Sequence, residues 1–198
     1  MDYAVLFWIS RTFGNSKFFA VFSRVLSFIG DKYCLVALVI LLLCFKKTRK
    51  LGLYVMIAGG LSWAVNNFVI KEIVKRDRPF VTCPELTNMC NLAGEALPGE
   101  YSMASGHSIT SMAVAVSIMF FSKKWGGVAI AVAVLIGLSR LGLCVHYPTD
   151  VLVGWILGAI FAVGLHYLMN VILKFIKSKW EKNKNEKISI SNEKSEQN

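Results

Sequence analysis

SGHSITSMAVAVSIMFFSKKWGGVAIAVAVLIGLSRLGLCVHYPTD, residues 105–150, is the stretch whose reading decides the fold. It holds two apolar runs, 108–121 and 127–143, parted by the basic break SKKWGG. A soluble helical bundle needs a polar face on each helix; these runs carry almost none and read as membrane crossings. Two crossings return a chain to the face it left. His107 and the segment Arg140–Asp150 are therefore expected at one membrane face.

The same pattern extends outward. Residues 51–70 form a full-length apolar span that ends in KEIVKRDRPF, where Pro79 stops a helix. Residues 80–104 read as a loop with Pro84, Gly94, Pro98 and Gly99, and only this loop separates Arg78 from His107. Lys71–Arg78 therefore joins the other two polar clusters at one face. Upstream, YCLVALVILLLCF at 33–45 is an apolar helix followed by KKTRK. Residues 17–30 are apolar but short and interrupted by Arg24, either a tilted, half-inserted helix or a first span joined closely to the next. Residues 1–16 read as a short interfacial helix, and about 150–173 as the last span. The fold expected is all-α, a polytopic transmembrane helical bundle with about five to six spans. Residues 1–173 form one domain, and 174–198 a basic, disordered cytoplasmic tail rich in Lys, Glu, Asn and Ser. No internal repeat is visible.

The composition agrees: of 198 residues 55% are hydrophobic, and the net charge is +10. That charge lies in short blocks between apolar runs and in the tail, not in a stripe across one surface, which argues against a nucleic-acid partner. KKTRK, Lys123–Lys124 and seven tail lysines fall on one face, whereas Pro79–Tyr101 on the other has no Lys or Arg. Basic residues mark cytoplasmic loops, so the polar clusters are expected to face outward from a cell membrane. Met1–Ser10 carries Asp2 and lacks the basic start of a cleavable signal, so it is expected to be retained.

Ionisable residues at membrane depth are costly and mark functional sites. Lys71, Arg78 and Arg140 bring three cations together, which suits a phosphate: Arg offers a planar fork, Lys a point charge. Taken alone, Lys71, Lys75, Arg76 and Arg78 read equally well as anchors at headgroup level. Ser105 and Gly106 open a helix whose free N–H groups suit an anion, and His107 beside them is placed to donate a proton. His146 and Asp150, four apart at a helix start, fit a carboxylate that fixes one ring nitrogen and leaves the other nucleophilic.

Lys71-x6-Arg78-Pro79, Ala104-Ser105-Gly106-His107 and Ser139-Arg140-x5-His146-x3-Asp150 resemble the three motifs of the type 2 phosphatidic acid phosphatase family, which shares its site with the vanadium haloperoxidases. The resemblance covers about residues 33–173. One position departs: Ala104 stands where the family usually has Pro, which would pre-set the helix entry. The resemblance implies a lipid phosphatase with no cofactor and no metal. His146 would attack phosphorus, Asp150 would orient it, and His107 would protonate the leaving oxygen and then activate water. Lys71, Arg78, Ser105, the Gly106 backbone and Arg140 would hold the phosphoryl oxygens. It further implies a lipid substrate among the membrane lipids. This is foremost undecaprenyl diphosphate, as in the small bacterial members, with phosphatidylglycerophosphate, phosphatidic acid or a lipid A phosphate as the alternatives. A lipid phosphotransferase and a non-enzymatic membrane protein of the same fold are the remaining readings.

Other polar residues are set apart. His166 follows Asp150 by sixteen residues, roughly 24 Å along a continuous helix, and reads as a packing or interfacial residue. Asn66 and Asn67, one turn before Lys71, either support it or cap polar groups between helices. Cys34 and Cys44 read as small core residues. Cys83 and Cys90, seven apart in the outer loop, are expected to pair and staple it.

Overall fold

A computed structural model describes residues 2–196, with side chains placed for residues 2–185. All its regular structure among these residues is helical. Helix α1 (Asp2–Phe13) leads into α2 (Lys17–Ile29), which Ser16 caps through its hydroxyl. A tight turn at Gly30 leads to α3 (Lys32–Cys44). Helix α4 (Arg49–Val65) passes into a π turn (Asn66–Ile70) and then α5 (Lys71–Val74). Among the described residues three helices are long and apolar enough to cross a membrane: Arg49–Thr82, Lys123–Gly142 and Pro148–Asn185. Helices α2 and α3, bent by 41° at the break between them, meet the same length and composition only when taken together. Helix α8 (Gly106–Phe121) is apolar but has only 16 residues. Counting the bent pair as one span and α8 as another gives five, the lower end of the expected five to six.

Exposed apolar side chains fit this reading. Phe18 and Ile73 are 82% and 76% exposed, and α3 is apolar all round. Such surface is stable only where lipid covers it. The chain is a membrane protein.

Helix α8 is central, packed against α4 on one side and α9 (Lys123–Gly142) on the other. Helix α10 (Pro148–Glu196) starts with Pro in its first turn, where no N–H is needed. Its Gly154 and Gly158 lie against α8: a Cβ at Gly158 would sit 2.3 Å from the Ile109 carbonyl oxygen. Small residues let membrane helices approach this closely. The chain divides into two compact units at Val163–Gly164. The described part of the second unit is the rest of α10, helical as far as Glu196 where the sequence read a tail, and there Asn170 Nδ2 and His166 Nε2 are 3.0 Å apart.

Residues 80–104 depart from the expected loop. They fold as α6 (Pro79–Thr82), a 3₁₀ turn (Pro84–Thr87) and α7 (Asn88–Ala93) before the chain opens out. Leu86, Met89 and Cys90 are fully buried, packed with Leu6 and Ile9 of α1 and with Leu143–Val145 before α10. The expected Cys83–Cys90 pairing is not found: both are free. Helix α7 turns Cys90 into this apolar cluster, where its thiol donates to the Leu143 carbonyl at 3.2 Å.

Candidate active site

Each polar cluster is delivered by a local break in a helix. The π turn at Asn66–Ile70 widens one turn of the helix and so rotates α5 about its axis. Lys71, the first residue of α5, is only 4% exposed. Lys75 then adopts φ 47°, a left-handed cap that ends α5 and redirects the chain so that Arg78 points inward. At the start of α10, Asp150 accepts from the Tyr147 N–H at 2.9 Å, as an acidic third residue does in a capping box. The carboxylate is thus held by the helix it begins. Ser105 precedes α8, and its backbone N–H bonds the Asp150 carbonyl at 3.2 Å, tying two of the motifs together.

Lys71, Arg78, Gly106, His107, Arg140 and His146 line one cavity of 530 Å³. Asp150 lies behind His146, fully buried, and Ser105 is also fully buried, its hydroxyl accepting from Ser108 at 3.0 Å. Of the residues picked from sequence, six therefore face the cavity, while Asp150 and Ser105 stand behind its wall.

His146 Nε2 is 3.2 Å from Arg78 Nη1. Arginine only donates, so Nε2 is the acceptor and the ring proton sits on Nδ1. Nδ1 faces Asp150 Oδ2 at 3.6 Å, longer than a hydrogen bond, and Ser102 Oγ at 3.4 Å. Ser102 in turn donates to Asp150 Oδ2 at 2.5 Å. The direct His–Asp bond expected from the spacing is therefore loose here, with Ser102 bonded to both partners. Burial holds the His146 imidazole below the ordinary histidine range, so the ring is neutral at pH 7.

The cations are held by acids that the motifs do not contain. Lys71 pairs with Glu100, whose backbone carbonyl also accepts from Arg78 Nε at 2.6 Å. That hydrogen bond from Lys71 keeps the Glu100 carboxyl below the usual carboxylate range. Arg140 contacts Ser27 and lies 3.7 Å from Glu95; its buried Nε has no partner among the described residues. Arg24, which interrupts the second apolar run, reaches the same Glu95 at 3.3 Å. Asn66 donates to the Ala104 carbonyl at 3.1 Å, bracing the loop ahead of α8.

Arg76 is the residue that the reading of the motifs passes over. Its guanidinium bonds Asp150 Oδ1 and Thr149 Oγ1, each at 2.7 Å, and Asp2 Oδ2 at 2.8 Å, and it lies over the Tyr147 ring. Beside Lys71, Lys75 and Arg78 it reads as one more headgroup anchor. An acid isolated in the apolar N-terminal helix is the one signal available, and nothing in sequence links Asp2 to Arg76.

Known proteins bear on the whole arrangement. Residues 47–174 match the PAP2 superfamily. The chain is 36% identical over 135 residues to an undecaprenyl-diphosphatase of Sulfolobus acidocaldarius, covering 68% of this chain and 63% of that protein, so it spans less than two thirds of that relative's length. It is 30% identical over 143 residues to the undecaprenyl-diphosphatase BcrC of Bacillus subtilis, covering 70% of each. Among solved structures, LpxE of Aquifex aeolicus superposes with a TM-score of 0.62 at 24% identity, over 73% of this chain and 82% of that one, a likeness of fold. Three motifs meeting at one cavity, a helical membrane fold and a match over most of its spans agree: the chain belongs to the PAP2 superfamily.

Proposed function

We propose that the protein is a membrane phosphatase that hydrolyses a lipid diphosphate, undecaprenyl diphosphate foremost, to the lipid monophosphate and inorganic phosphate. The observation that carries this reading is the convergence of Lys71, Arg78, Arg140, His107 and His146 on one cavity. A transferring phosphoryl group needs charge stabilisation and in-line positioning, and three cations with two imidazoles provide both.

His146 Nε2 attacks the terminal phosphorus, forming an N–P bond as the bond to the lipid-phosphate oxygen breaks. His107 gives its proton to that oxygen. Water then attacks the phosphohistidine, His107 takes a proton from it, and the N–P bond breaks to release phosphate. Arg78 occupies Nε2 at 3.2 Å before substrate binds. A phosphoryl oxygen draws this guanidinium away, and the lone pair is freed as the substrate arrives. The unused donor on Arg140 and the ammonium of Lys71 take further oxygens. Asp150, Ser102 and Arg76 orient the ring and touch no substrate. The Gly106 N–H, free in the first turn of α8, takes an oxygen from the cavity wall, and Ser105, fully buried behind that wall, holds this turn for the phosphate.

The names of the two undecaprenyl-diphosphatases favour undecaprenyl diphosphate, while a phosphatidylglycerophosphatase B of Bacillus subtilis, 32% identical over 118 residues, keeps phosphatidylglycerophosphate as the alternative. The cavity is assigned to the outer face and the segment 174–198 to the cytoplasm, on the distribution of lysine and arginine. Phosphate release by purified protein, measured on a panel of these lipids with EDTA present, tests the assignment. Undecaprenyl diphosphate is expected to be turned over best. A hundredfold preference for a phosphatidyl substrate would overturn the choice of lipid, and no release from any lipid would overturn the activity. A C-terminal tag labelled by an impermeant reagent on intact cells would overturn the orientation.

A further inference from the structure

We infer that Lys32, on the turn between α2 and α3, binds the phosphoryl group that stays with the lipid and so selects a diphosphate over a monophosphate. This rests on the lipid phosphatase reading and adds to it the residue that tells the two substrates apart. Lys32 lies ahead of residues 47–174, the part that matches the family, and outside all three motifs.

The phosphate cavity is lined by Lys71, Arg78, Arg140 and Lys32. The first three are buried and serve the transferred phosphoryl group. Lys32 is exposed, so it stands where the cavity opens. Its ammonium lies over the Tyr33 ring at 5.2 Å and forms no ion pair among the described residues. Asp31 beside it is turned to the start of α3, where its carboxylate accepts from the Lys32 N–H at 2.8 Å. A diphosphate carries two charged phosphoryl groups. Three cations that converge on one leave the other without a partner, and Lys32 is the cation left over.

Two observations put Lys32 on the leaving side. A Cβ on Gly30, two residues earlier, would come 3.2 Å from His107 Cδ2, so this turn packs against the histidine that protonates the leaving oxygen. A resident anion also feels both inner and outer cations. Glu100 bonds Lys71, and that hydrogen bond first, then the charges of Arg78 and Lys32, hold its carboxyl below the usual range. The lipid-attached phosphate takes the place that this carboxylate holds. When the terminal P–O bond breaks, the bridging oxygen keeps the electron pair, leaves with the lipid phosphate and receives the His107 proton. A cation on that phosphate stabilises the departing charge, so Lys32 acts on kcat as well as on binding. With a monophosphate the leaving oxygen belongs to an alcohol, and Lys32 has no second phosphate to hold.

The test assays Lys32→Gln and Lys32→Arg on a polyprenyl diphosphate, on the monophosphate of the same tail and on p-nitrophenyl phosphate. Lys32 is exposed, so neither substitution endangers the fold. In Lys32→Gln, kcat/KM for the diphosphate is expected to fall about tenfold, as for the loss of one hydrogen bond to a charged group. The values for both monophosphates should change far less. Lys32→Arg keeps the charge and should keep most of the preference for the diphosphate. Inhibition of p-nitrophenyl phosphate turnover gives a second readout. Methylenediphosphonate, a diphosphate analogue whose bridge cannot be cleaved, should lose about tenfold in potency against Lys32→Gln on the same ground, and vanadate should not. An equal fall on all three substrates, or an unchanged rate with the diphosphate, overturns the inference. If wild-type protein releases phosphate from lipids while that happens, only Lys32 is misassigned. If it releases none from any lipid, the activity itself is.

Discussion

Arg76 Nη1 lies 2.7 Å from Asp150 Oδ1 while its Nη2 lies 2.8 Å from Asp2 Oδ2, so one guanidinium ties the N-terminal helix to the carboxylate behind His146. Asp150 is fully buried, and Arg76 is its cation. Arg76→Ala leaves that carboxylate short of compensation and free to shift, which disturbs the ring it orients. By analogy with losing the group that orients a metal ligand, kcat is expected to fall about 10- to 100-fold. KM should change little, because Arg76 does not line the cavity. Arg76→Lys should recover part of kcat, and Asp2→Asn should show a smaller loss of the same kind. Steady-state kinetics on each variant decides this; a rise in KM with kcat intact would make Arg76 a binding residue instead.

In the proposed mechanism Glu100 holds the cation that the substrate's phosphate needs. Its carboxylate bonds Lys71, a buried cation of the cavity, while its own side chain is 67% exposed. Glu100→Gln removes the resident anion and leaves Lys71 to the incoming one. Exposed ion pairs contribute under about 1 kcal/mol, so the gain is modest, at most about fivefold. Vanadate, a mimic of the phosphoryl group in transfer, should inhibit Glu100→Gln at lower concentration than wild type. Because Lys71 holds the Glu100 carboxyl below its usual value of 4.5, the pair stays ionised above that pH, and the difference between Glu100→Gln and wild type should not change with pH there. Weaker inhibition of the variant would show that Glu100 assists binding.

The pH profile of kcat/KM reports the free enzyme. Burial holds His146 below the ordinary imidazole value of 6.5, with the charge of Asp150 acting in the opposite sense. The nucleophile therefore stays unprotonated as pH drops through 6.5, and the acid limb should lie below that value. Asp150→Asn removes the charge that favours the imidazolium, so its acid limb should move further down even as the rate falls. An acid limb above pH 6.5 in wild type would contradict the burial argument.

Much of this was legible in sequence because the pieces obey short-range rules. Apolar runs of span length, Pro79 as punctuation, and the parity of crossings placed Lys71, Arg78, His107, Arg140 and His146 at one level, and the cavity holds all five. What escaped was set by tertiary contact. Cys90 faces an apolar cluster rather than Cys83 because α7, invisible as a periodic signal in six residues, turns it inward. Arg76 reads as one more basic residue until α1 brings Asp2 to it across 74 positions. Glu95 and Glu100 lie in a stretch read as loop, yet their carboxylates balance Arg140 and Lys71. Motifs name groups that meet the phosphate; the residues that compensate those charges come from wherever the fold passes nearby.

The two histidines should separate by what each leaves on the protein. His146 has Asp150, Ser102 and Arg78 around its ring, with Nε2 as the acceptor, and is prepared as a nucleophile. His107 is the second residue of α8 and lines the same cavity; in the proposed mechanism it passes its proton to the leaving oxygen. His146→Ala should abolish turnover and leave no acid-labile phosphate on the protein after incubation with labelled substrate. His107→Ala should slow both steps, yet still form phosphoenzyme from p-nitrophenyl phosphate, whose leaving group needs no proton. Because the second step also needs a base, the phosphoenzyme should accumulate in that variant. Asp150→Asn keeps the nucleophile and disturbs its tautomer, so its loss, of up to about 10⁴-fold in kcat, should remain smaller than that of His146→Ala. Phosphate trapped on His107, or turnover surviving in His146→Ala, would reverse the assignment. The Arg78–Nε2 contact adds a further expectation. Arg78→Lys, which cannot span phosphate and imidazole as a planar fork, should raise KM and lower kcat together.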